Sequence, residues 1–345
     1  MTHGWKRIPA ALTAIWMMFS AASAEYLVTE EADPDFSAEI TEKDGYHFDP
    51  KGFLTGENPS DAYLLEDEEN GSWQYATADL SIRVTRFREE ADKYIREYCV
   101  AEVHASEASP LFTITTPATK RRAQGYTLKY AENLVADNPV MLAVSDDFYG
   151  YRHQRIVEAG ATWPVGIIVR NGELLYRKTR NSARKRPFPP MDTMAVYADG
   201  SMKARICDEL PAEQYTEDGA TQVFSFGPWL IRDGEINEKE AGDEAVYLNY
   251  SEPRCAVGMV KPYHYIFVVV GVPEGNRYIG AKGSWLIAKM QEYGCTEALN
   301  LDGGGTACMV FNGKVLIQGR FKKERRPLGS MIAFGPRGPF EQAEE

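Results

Sequence analysis

Three consecutive glycines, Gly303-Gly304-Gly305, follow Asp302 at the end of an apolar segment that closes on Asn300-Leu301. A run of glycines indicates a backbone path on which no Cβ fits, and such a loop lets amide groups approach a ligand oxygen. A structural tight turn uses the same residues, and an aspartate beside it often only caps backbone amides. The pattern alone leaves both interpretations open.

The better-known catalytic signatures are absent from the sequence. The glycines lack GxGxxG spacing, and there is no GxSxG elbow, HExxH helix or P-loop, which excludes the usual serine hydrolases, zinc proteases and kinases. No Cys/His spacing suits zinc, so a divalent ion such as calcium remains unsupported and no cofactor is expected. No basic stripe is present to neutralise successive phosphates, which disfavours a nucleic-acid partner.

The elements around the glycine loop follow from short-range patterns. A helix is predicted over residues 284–293 and ends at Gly294, which suits a left-handed cap. Strands are predicted on both sides of the loop, at 298–301, 307–311 and 314–317, with Asn312-Gly313 as the turn between the last two.

A second acidic loop follows a second apolar strand. Residues 140–144 are apolar and lead into Ser145-Asp146-Asp147, and a helix is predicted before them at 128–136. Residues 165–170 and 173–177 flank Asn171-Gly172, which predicts a hairpin. Strands and helices alternate without a repeat, so we expect an α/β (mixed α+β) fold with mixed β-sheets and flanking helices in a single large catalytic domain.

The N-terminal region reads as an export signal followed by an acidic segment. Residues 1–24 combine Lys6 and Arg7, a short apolar stretch and a small-residue cleavage site, which predicts a cleaved signal peptide, although an uncleaved anchor stays open. Residues 25–70 hold fifteen acidic and two basic residues, which favours a solvated extension. We therefore expect a secreted or periplasmic protein with no transmembrane span in the mature chain, a domain at 71–337 and a tail at 338–345.

Beyond these patterns, several motifs in order resemble one family, the phosphodiester glycosidases typified by the uncovering enzyme, which removes a sugar from a sugar-1-phosphate diester. The resemblance extends from about residue 73 to 335. It is carried by these segments: LAVSDDFYGYR at 142–152, GIIVRNG at 166–172, FSFGP at 224–228, PRCAVG at 253–258, HY at 264–265 and NLDGGGTACM at 300–309.

The resemblance implies cleavage at an anomeric carbon with phosphate departing. An oxocarbenium-like transition state needs a nearby carboxylate, and the leaving phosphate needs cationic or amide contacts. The candidate catalytic residues are therefore Asp302, Asp147, its neighbour Asp146, and His264 as a proton carrier. The candidate substrate-binding residues are Arg254 as an anion clamp, Asn300, the loop residues Gly303, Gly304, Gly305 and Thr306, together with Arg170 and Gly227 from the matching motifs. Structural alternatives accompany each: an ion pair for Arg254, a satisfied histidine at His264 and a pinned turn at Asn300.

The chain departs from the family pattern at several positions. Ser145-Asp146 stands where Asn-Gly is expected, which leaves open whether Asp146 or Asp147 acts. Cys255 and Cys308 both replace threonine in motifs that the family brings to one site, so the resemblance suggests a disulfide between them. Cys295 is expected to be a buried free thiol, and a Cys99–Cys207 pair is merely permitted.

Taken together, these observations predict an exported hydrolase that cleaves a sugar-1-phosphodiester in a cell-envelope or extracellular glycan, such as an exopolysaccharide. Two alternatives remain: an exo-glycosidase acting on a glycan without phosphate, and a non-catalytic envelope protein that binds glycan through the same crevice. The expected partner is the glycan or sugar-phosphodiester substrate. The sequence does not specify the sugar or the oligomeric state.

Overall fold

Antiparallel β-strands make up most of the chain in the computed structural model. The structure describes residues 41–91, 94–116, 128–147, 149–150, 163–164, 166–178, 191–242, 248–272, 278–319 and 325–336. The strands in these ranges are β1 (Thr41–Lys43), β2 (Tyr46–Phe48), β3 (Tyr63–Asp67), β4 (Ser72–Ala76), β5 (Ser81–Ala91), β6 (Tyr94–His104), β7 (Phe112–Thr115), β8 (Leu142–Ser145), β9 (Tyr149–Gly150), β10 (Trp163–Pro164), β11 (Gly166–Arg170), β12 (Glu173–Lys178), β13 (Asp192–Tyr197), β14 (Met202–Arg205), β15 (Ala220–Phe226), β16 (Trp229–Arg232), β17 (Glu235–Ile236), β18 (Arg254–Lys261), β19 (His264–Val270), β20 (Glu297–Leu301), β21 (Cys308–Phe311), β22 (Lys314–Gln318) and β23 (Ser330–Phe334).

Most of the strands belong to three sheets. Sheet 1 has the strand order β17-β16-β20-β18-β19-β6-β5-β4-β3, sheet 2 has the order β22-β21-β8-β23-β7, and sheet 3 has the order β12-β11-β15-β13-β14. Two further hairpin-like pairs, β1 with β2 and β9 with β10, are separate. Every pairing between these strands is antiparallel.

The main core lies where sheet 1 faces sheets 2 and 3. Val257, Phe267 and Leu299 of sheet 1 are fully buried together with Met309 of sheet 2 and Phe224 of sheet 3. Strands of sheet 1 are also covered on the opposite face, which explains why β19 is a continuous apolar run and does not alternate. Burial on both faces makes these central strands rigid supports for the loops at their ends.

A few short helices cover the outer faces of the sheets. In the described ranges they are α1 (Ala131–Asp137), α2 (Ala212–Glu217), α3 (Glu238–Ala241) and α4 (Gly283–Glu292). Helix α4 places Leu286, Ile287 and Met290 on the outer face of sheet 1, whereas α1 packs on sheet 2 and α2 on sheet 3. Within the described residues no helix is long and apolar enough to cross a bilayer.

The predicted elements around both acidic loops are observed within a few residues of the expected bounds. Asn171 and Gly172 have φ of 51° and 78°, and Asn312 and Gly313 have φ of 45° and 77°, as the two predicted turns require. Gly294 caps α4 with φ of 71°. Helices are nevertheless few and the paired strands are antiparallel, so the expected α/β class with mixed sheets fits only loosely and the fold is dominated by β-sheet.

Residues 41–70 differ from the solvated extension that their charge suggested. Strand β3 pairs along its whole length with β4 and forms one edge of sheet 1. Phe48, Leu54 and Tyr63 form a small cluster with Ala76 and are nearly inaccessible to solvent. The few apolar residues of this segment are thus enough to bury it against the sheet, while its carboxylates remain largely at the surface. The predicted signal peptide and the C-terminal tail lie outside the described residues.

Candidate active site

The two acidic loops meet at the ends of strands β8 and β20. The backbone amide of Asp302 donates a hydrogen bond to the carbonyl oxygen of Asp146, 3.1 Å away. The amide of Cys308, at the start of β21, donates to Oγ of Ser145 at 3.2 Å. A loop of sheet 1 is therefore joined directly to a strand end of sheet 2, and the two predicted acidic segments belong to one site.

A buried ionic network lies beneath this junction. Arg170, at the end of β11 in sheet 3, pairs through Nη2 with both Asp147 and Asp146, the latter at 3.3 Å. The other oxygen of Asp147 accepts from the amide of Ser225 at 2.6 Å, and Ser330 donates its hydroxyl to Asp146. Asp146 and Asp147 have no solvent exposure, and Arg170 is 6% exposed. This network holds the strand ends of sheets 2 and 3 together.

The buried position of Asp147 changes its proton affinity. Burial raises the pKa of Asp147 to about 7, against the opposing effect of Arg170, and the adjacent Asp146 raises it further. Nη1 of Arg170 donates to the carbonyls of Val169 and Val223, so the guanidinium is anchored in the sheet. Neither carboxylate reaches solvent, and their described partners are Arg170, Ser225, Ser330 and the amide of Asp302.

Asp302 and the glycine loop form the more accessible part of the junction. Oδ2 of Asp302 accepts a hydrogen bond from Oγ1 of Thr306 at 2.9 Å, and the same hydroxyl is 2.6 Å from the carbonyl of Gly303. Asp302 is 5% exposed, while Gly303 and Gly304 are partly exposed. The threonine thus fixes the orientation of a carboxylate that lies directly beside the exposed backbone of the loop.

The loop needs glycine at Gly303 and Gly304 for different reasons. A Cβ at Gly303 would lie 2.5 Å from the carbonyl oxygen of Pro253, whereas Gly304 has φ of +61° with open space around it. The amides of Gly304 and Thr306 donate to the carbonyls of Pro253 and Gly303. Two of the loop amides that were expected to bind an anion therefore already donate to backbone carbonyls. The amides of Gly303 and Gly305 remain as candidates to bind a ligand.

Two arginines beside the loop were not among the sequence-based candidates. The amide of Arg326 donates to the carbonyl of Gly305 at 2.8 Å, and its side chain is exposed. Arg325 is partly buried, makes a two-pronged ion pair with Glu132 at 2.8 and 3.1 Å and lies over the ring of Tyr130. The basic run at 322–326 was the available signal, but nothing in the sequence connects that run to a loop about twenty residues earlier.

The backbone of Arg254 borders the loop, since its Cα would lie 3.3 Å from a Cβ at Gly303. Its Nε donates to the carbonyl of Ala281 and its Nη2 to the carbonyl of Tyr250, at 3.1 and 2.8 Å. Burial lowers the pKa of the guanidinium, while the nearby Glu252 and Glu240 raise it. The described contacts therefore direct the predicted anion clamp toward the start of α4 and away from Asp302.

Asn300 and Gly227 lie together on the sheet next to the loop. Nδ2 of Asn300 donates to the carbonyl of Gly227 at 2.8 Å, and the amide of Gly227 donates back to the carbonyl of Asn300 at 2.9 Å. A Cβ at Gly227, where φ is +91°, would lie 2.9 Å from Asp192. Through these contacts Asn300 holds the backbone of the turn at Gly227.

His264 lies at the far end of strand β19. In sheet 1, Arg254 is opposite Val270 and His264 is opposite Lys261. The six residue steps from His264 to Val270 cover about 20 Å at roughly 3.4 Å per step. The histidine proposed as a proton carrier therefore lies well away from the two acidic loops, and its Nε2 is 2.9 Å from Glu102.

All five cysteines are free thiols. The predicted Cys255–Cys308 disulfide is not formed, although both residues contact Ser145: Sγ of Cys255 donates to its carbonyl at 3.3 Å, and the amide of Cys308 donates to its hydroxyl. The permitted Cys99–Cys207 pair is likewise absent, and Cys295 is a buried free thiol as predicted. The core around Ser145 is held by packing and hydrogen bonds without a bridge.

The fold is similar to that of one solved catalytic domain. The chain is similar to the catalytic domain of zebrafish N-acetylglucosamine-1-phosphodiester alpha-N-acetylglucosaminidase, determined in a form auto-inhibited by its pro-peptide. The TM-score is 0.55 at 16% sequence identity, and the match covers 81% of this chain and 90% of that one.

The family model for phosphodiester glycosidases matches residues 138–335, more than half of the chain and all of the junction described above. The chain therefore belongs to the phosphodiester glycosidase family, whose members are hydrolases. Among curated proteins it is similar to the SPbeta prophage-derived uncharacterized protein YomE of Bacillus subtilis (strain 168), with 28% identity over 125 residues. That match covers 36% of this chain and only 19% of the relative's length.

Proposed function

We propose that this protein hydrolyses the bond between the anomeric carbon of a sugar and the phosphate of a sugar-1-phosphodiester. Water adds its oxygen to the anomeric carbon, the carbon–oxygen bond to phosphate breaks, and the products are a free sugar and a phosphomonoester. The observation that carries the proposal is the placement of Asp302: an oriented carboxylate next to partly exposed loop backbone, with the exposed Arg326 attached to the same loop.

Asp302 is the group assigned to the reacting carbon. A carboxylate stabilises the positive charge that develops there, whether as nucleophile, base or electrostatic partner. Thr306 restricts it to one orientation, and its amide ties it to Asp146. Asp146, Asp147 and Arg170 then act through Asp302 by fixing the strand end on which its loop rests.

The departing phosphate is assigned to Arg326 and the free amides of the glycine loop. A guanidinium presents forked donors that match phosphate oxygens, and an exposed one binds an anion without the desolvation that a buried one requires. A phosphate ester is already a good leaving group, so charge stabilisation on its oxygens contributes more than protonation. This assignment replaces Arg254, whose described donors serve backbone carbonyls.

The physiological substrate follows from the proposed location. The N-terminal 24 residues have the composition of a cleaved export signal, which supports a secreted or periplasmic enzyme acting on an envelope or extracellular glycan. Intact-mass measurement of the protein recovered from an expressing cell tests the location: a mature N-terminus at Glu25 in the periplasm or medium supports it, and retention of Met1 in the cytoplasm contradicts it.

The activity is tested by comparing two substrates on the same preparation. A sugar-1-phosphodiester should be turned over much faster than the matching nitrophenyl glycoside. Preference for the nitrophenyl glycoside would instead indicate an ordinary glycosidase. Binding of a glycan panel without turnover of any phosphodiester would identify a non-catalytic glycan-binding protein and end the proposal.

A further inference from the structure

A second group of chemically capable side chains lies on sheet 1, away from the acidic loops. In the register of β6 against β19, His104 is directly opposite His264, and Glu102 precedes His104 by two positions on the same strand. Side chains two apart on a strand, and those directly opposite on its neighbour, point to the same face of a sheet. Glu102, His104 and His264, which we call the His–His–Glu cluster, therefore converge by strand geometry alone.

The distances within the cluster are close to those of a metal site. Oε1 of Glu102 is 2.9 Å from Nε2 of His264 and 3.8 Å from Nε2 of His104, and one ligand atom from each residue lies within 4.8 Å of the others. Four ligands at about 2.0–2.1 Å around a tetrahedral zinc ion are separated from one another by roughly 3.3 Å. Small side-chain rotations therefore bring the three atoms onto one ion.

The two imidazole rings of the cluster lie face to face. Their rings stack with centroids 3.9 Å apart and an angle of 27° between planes. An unprotonated imidazole is the form that binds a metal.

The cluster is partly exposed to solvent. The side chains of His104, His264 and Glu102 are 15%, 13% and 27% exposed, so the cluster is reached from solvent. Arg83 lies 3.8 Å from the second oxygen of Glu102, but its own side chain is 53% exposed and screened by water. Tyr293 caps the C-terminus of α4, and its pKa is raised to about 12 mainly by burial and further by Glu292 and Glu102. The partial negative charge of a helix C-terminus favours a cation nearby.

We propose that Glu102, His104 and His264 bind a divalent transition-metal ion, zinc by ligand preference, with water in the fourth position. Two imidazoles and one carboxylate are borderline ligands that suit zinc and cobalt and disfavour magnesium and calcium. The ion would clamp β6 to β19 in the middle of sheet 1, about 20 Å along β19 from the strand end nearest Asp302. It is thus a site separate from the proposed hydrolytic centre.

The test uses the full chain after removal of metal with a chelator. Titration calorimetry with Zn²⁺ should give one bound ion per chain, and Co²⁺ should give the visible absorption bands of tetrahedral coordination. His104→Ala and Glu102→Gln should each weaken Zn²⁺ binding by at least about tenfold, a loss of about 1.4 kcal/mol. Zn²⁺ should also raise the melting temperature of the wild type while Mg²⁺ does not.

A matched control separates this site from casual histidine binding. His47 lies 4.0 Å from Glu42 and is more exposed, so His47→Ala should bind Zn²⁺ like the wild type. Glu102→Gln is nearly isosteric and keeps both histidines, which guards against loss of binding through misfolding. Unchanged Zn²⁺ affinity in both His104→Ala and Glu102→Gln, or Co²⁺ spectra without tetrahedral bands, would overturn the proposal.

Discussion

At the scale of single residues, the site divides into a buried half and an accessible half. Asp146, Asp147 and Arg170 are enclosed and paired, whereas Asp302 lies beside loop backbone that reaches solvent. Breaking a buried ion pair leaves an uncompensated charge and costs about 3–5 kcal/mol, which is a loss of stability. Asp302 is itself buried but is assigned to the reacting carbon, so its substitution is expected to lower activity more than stability.

Asp302→Asn should abolish most turnover while leaving the protein folded. The amide keeps the shape of the side chain and an oxygen that can accept the hydrogen bond from Thr306, but removes the negative charge. The expected fall in kcat is about 10²–10⁴-fold, measured with a sugar-1-phosphodiester. Asp67→Asn is the control and should retain wild-type kcat, because Asp67 lies at the end of edge strand β3, and its described hydrogen bonds come from Asn70. Full activity in Asp302→Asn would remove Asp302 from the chemistry.

Arg326→Gln should weaken use of phosphodiester substrates more than use of uncharged ones. Loss of a charged hydrogen bond to phosphate is expected to lower kcat/KM by roughly 1.5–3 kcal/mol, or about 10–150-fold. Arg177→Gln alters an exposed arginine that pairs with Glu213 and serves as the control. Equal losses on a phosphodiester and a nitrophenyl glycoside would show that Arg326 does not contact phosphate.

Asp147 should make the stability of the protein depend on pH. Its folded pKa of about 7 lies above the ordinary value of 3.8, so between these values the native state holds more protons than the unfolded state. The free energy of unfolding therefore falls as pH rises through this window, by up to about 1.4 kcal/mol per pH unit for one proton. Asp147→Asn removes that slope.

The measurement is urea unfolding of both proteins at several pH values from 4 to 7. The unfolding free energy of the wild type should fall with increasing pH relative to that of Asp147→Asn, whichever protein is the more stable at pH 4. Parallel curves for the two proteins would show that Asp147 is ionised throughout. Asp67→Asn should keep the falling slope of the wild type.

At the scale of elements, the two glycines of the loop are required for different reasons: Gly303 by a close contact with neighbouring backbone, and Gly304 by its positive φ. Gly303→Ala places a methyl group 2.5 Å from a backbone carbonyl and must displace the loop from β18, so both stability and turnover should fall. Gly304→Ala meets no atom within 4 Å and should cost only about 1–2 kcal/mol for its left-handed φ. The melting temperature and kcat of Gly303→Ala and Gly304→Ala should be measured side by side. Equal losses in the two variants would show that the close contact at Gly303 has no effect of its own.

The limits of sequence reasoning are clearest for strand β18. Residues 253–258 were correctly associated with the glycine loop, since Leu301 is opposite Cys255 and Pro253 contacts Gly303. Side chains alternate along a strand, so Arg254 must face away from the core side to which Cys255 points. The alternation was readable from the sequence, but which face held the site was not, because that depends on how three sheets pack.

The same reason explains the remaining differences between prediction and structure. Turn residues such as Asn171-Gly172 determine local geometry and were predictable. Arg326 reaches the loop through a contact between distant segments, and β3 is recruited to sheet 1 by pairing with β4, despite its acidic surroundings. Short-range sequence patterns predict turns and single strands, whereas these two placements depend on how separate segments pack together.

At the scale of the whole molecule, cysteine burial predicts low thiol reactivity. Burial raises the pKa of Cys99 and of Cys255 to about 12, and it also raises the pKa of Cys295 and Cys308. Only Cys207 is partly exposed. A thiol reagent should therefore modify one cysteine in the native protein and five after denaturation without reductant. Three reactive thiols after denaturation would instead reveal a bridge, and peptide mapping would identify its partners.

The meeting of three sheets at one junction also determines when function appears during folding. Asp302 comes from sheet 1, Asp146 and Asp147 from sheet 2, and Arg170 from sheet 3, and their contacts join segments far apart in the chain. Contacts of long sequence separation form slowly. No single sheet contains all the groups assigned to the proposed centre, so we expect a chain to become active only when the last sheet has closed against the other two.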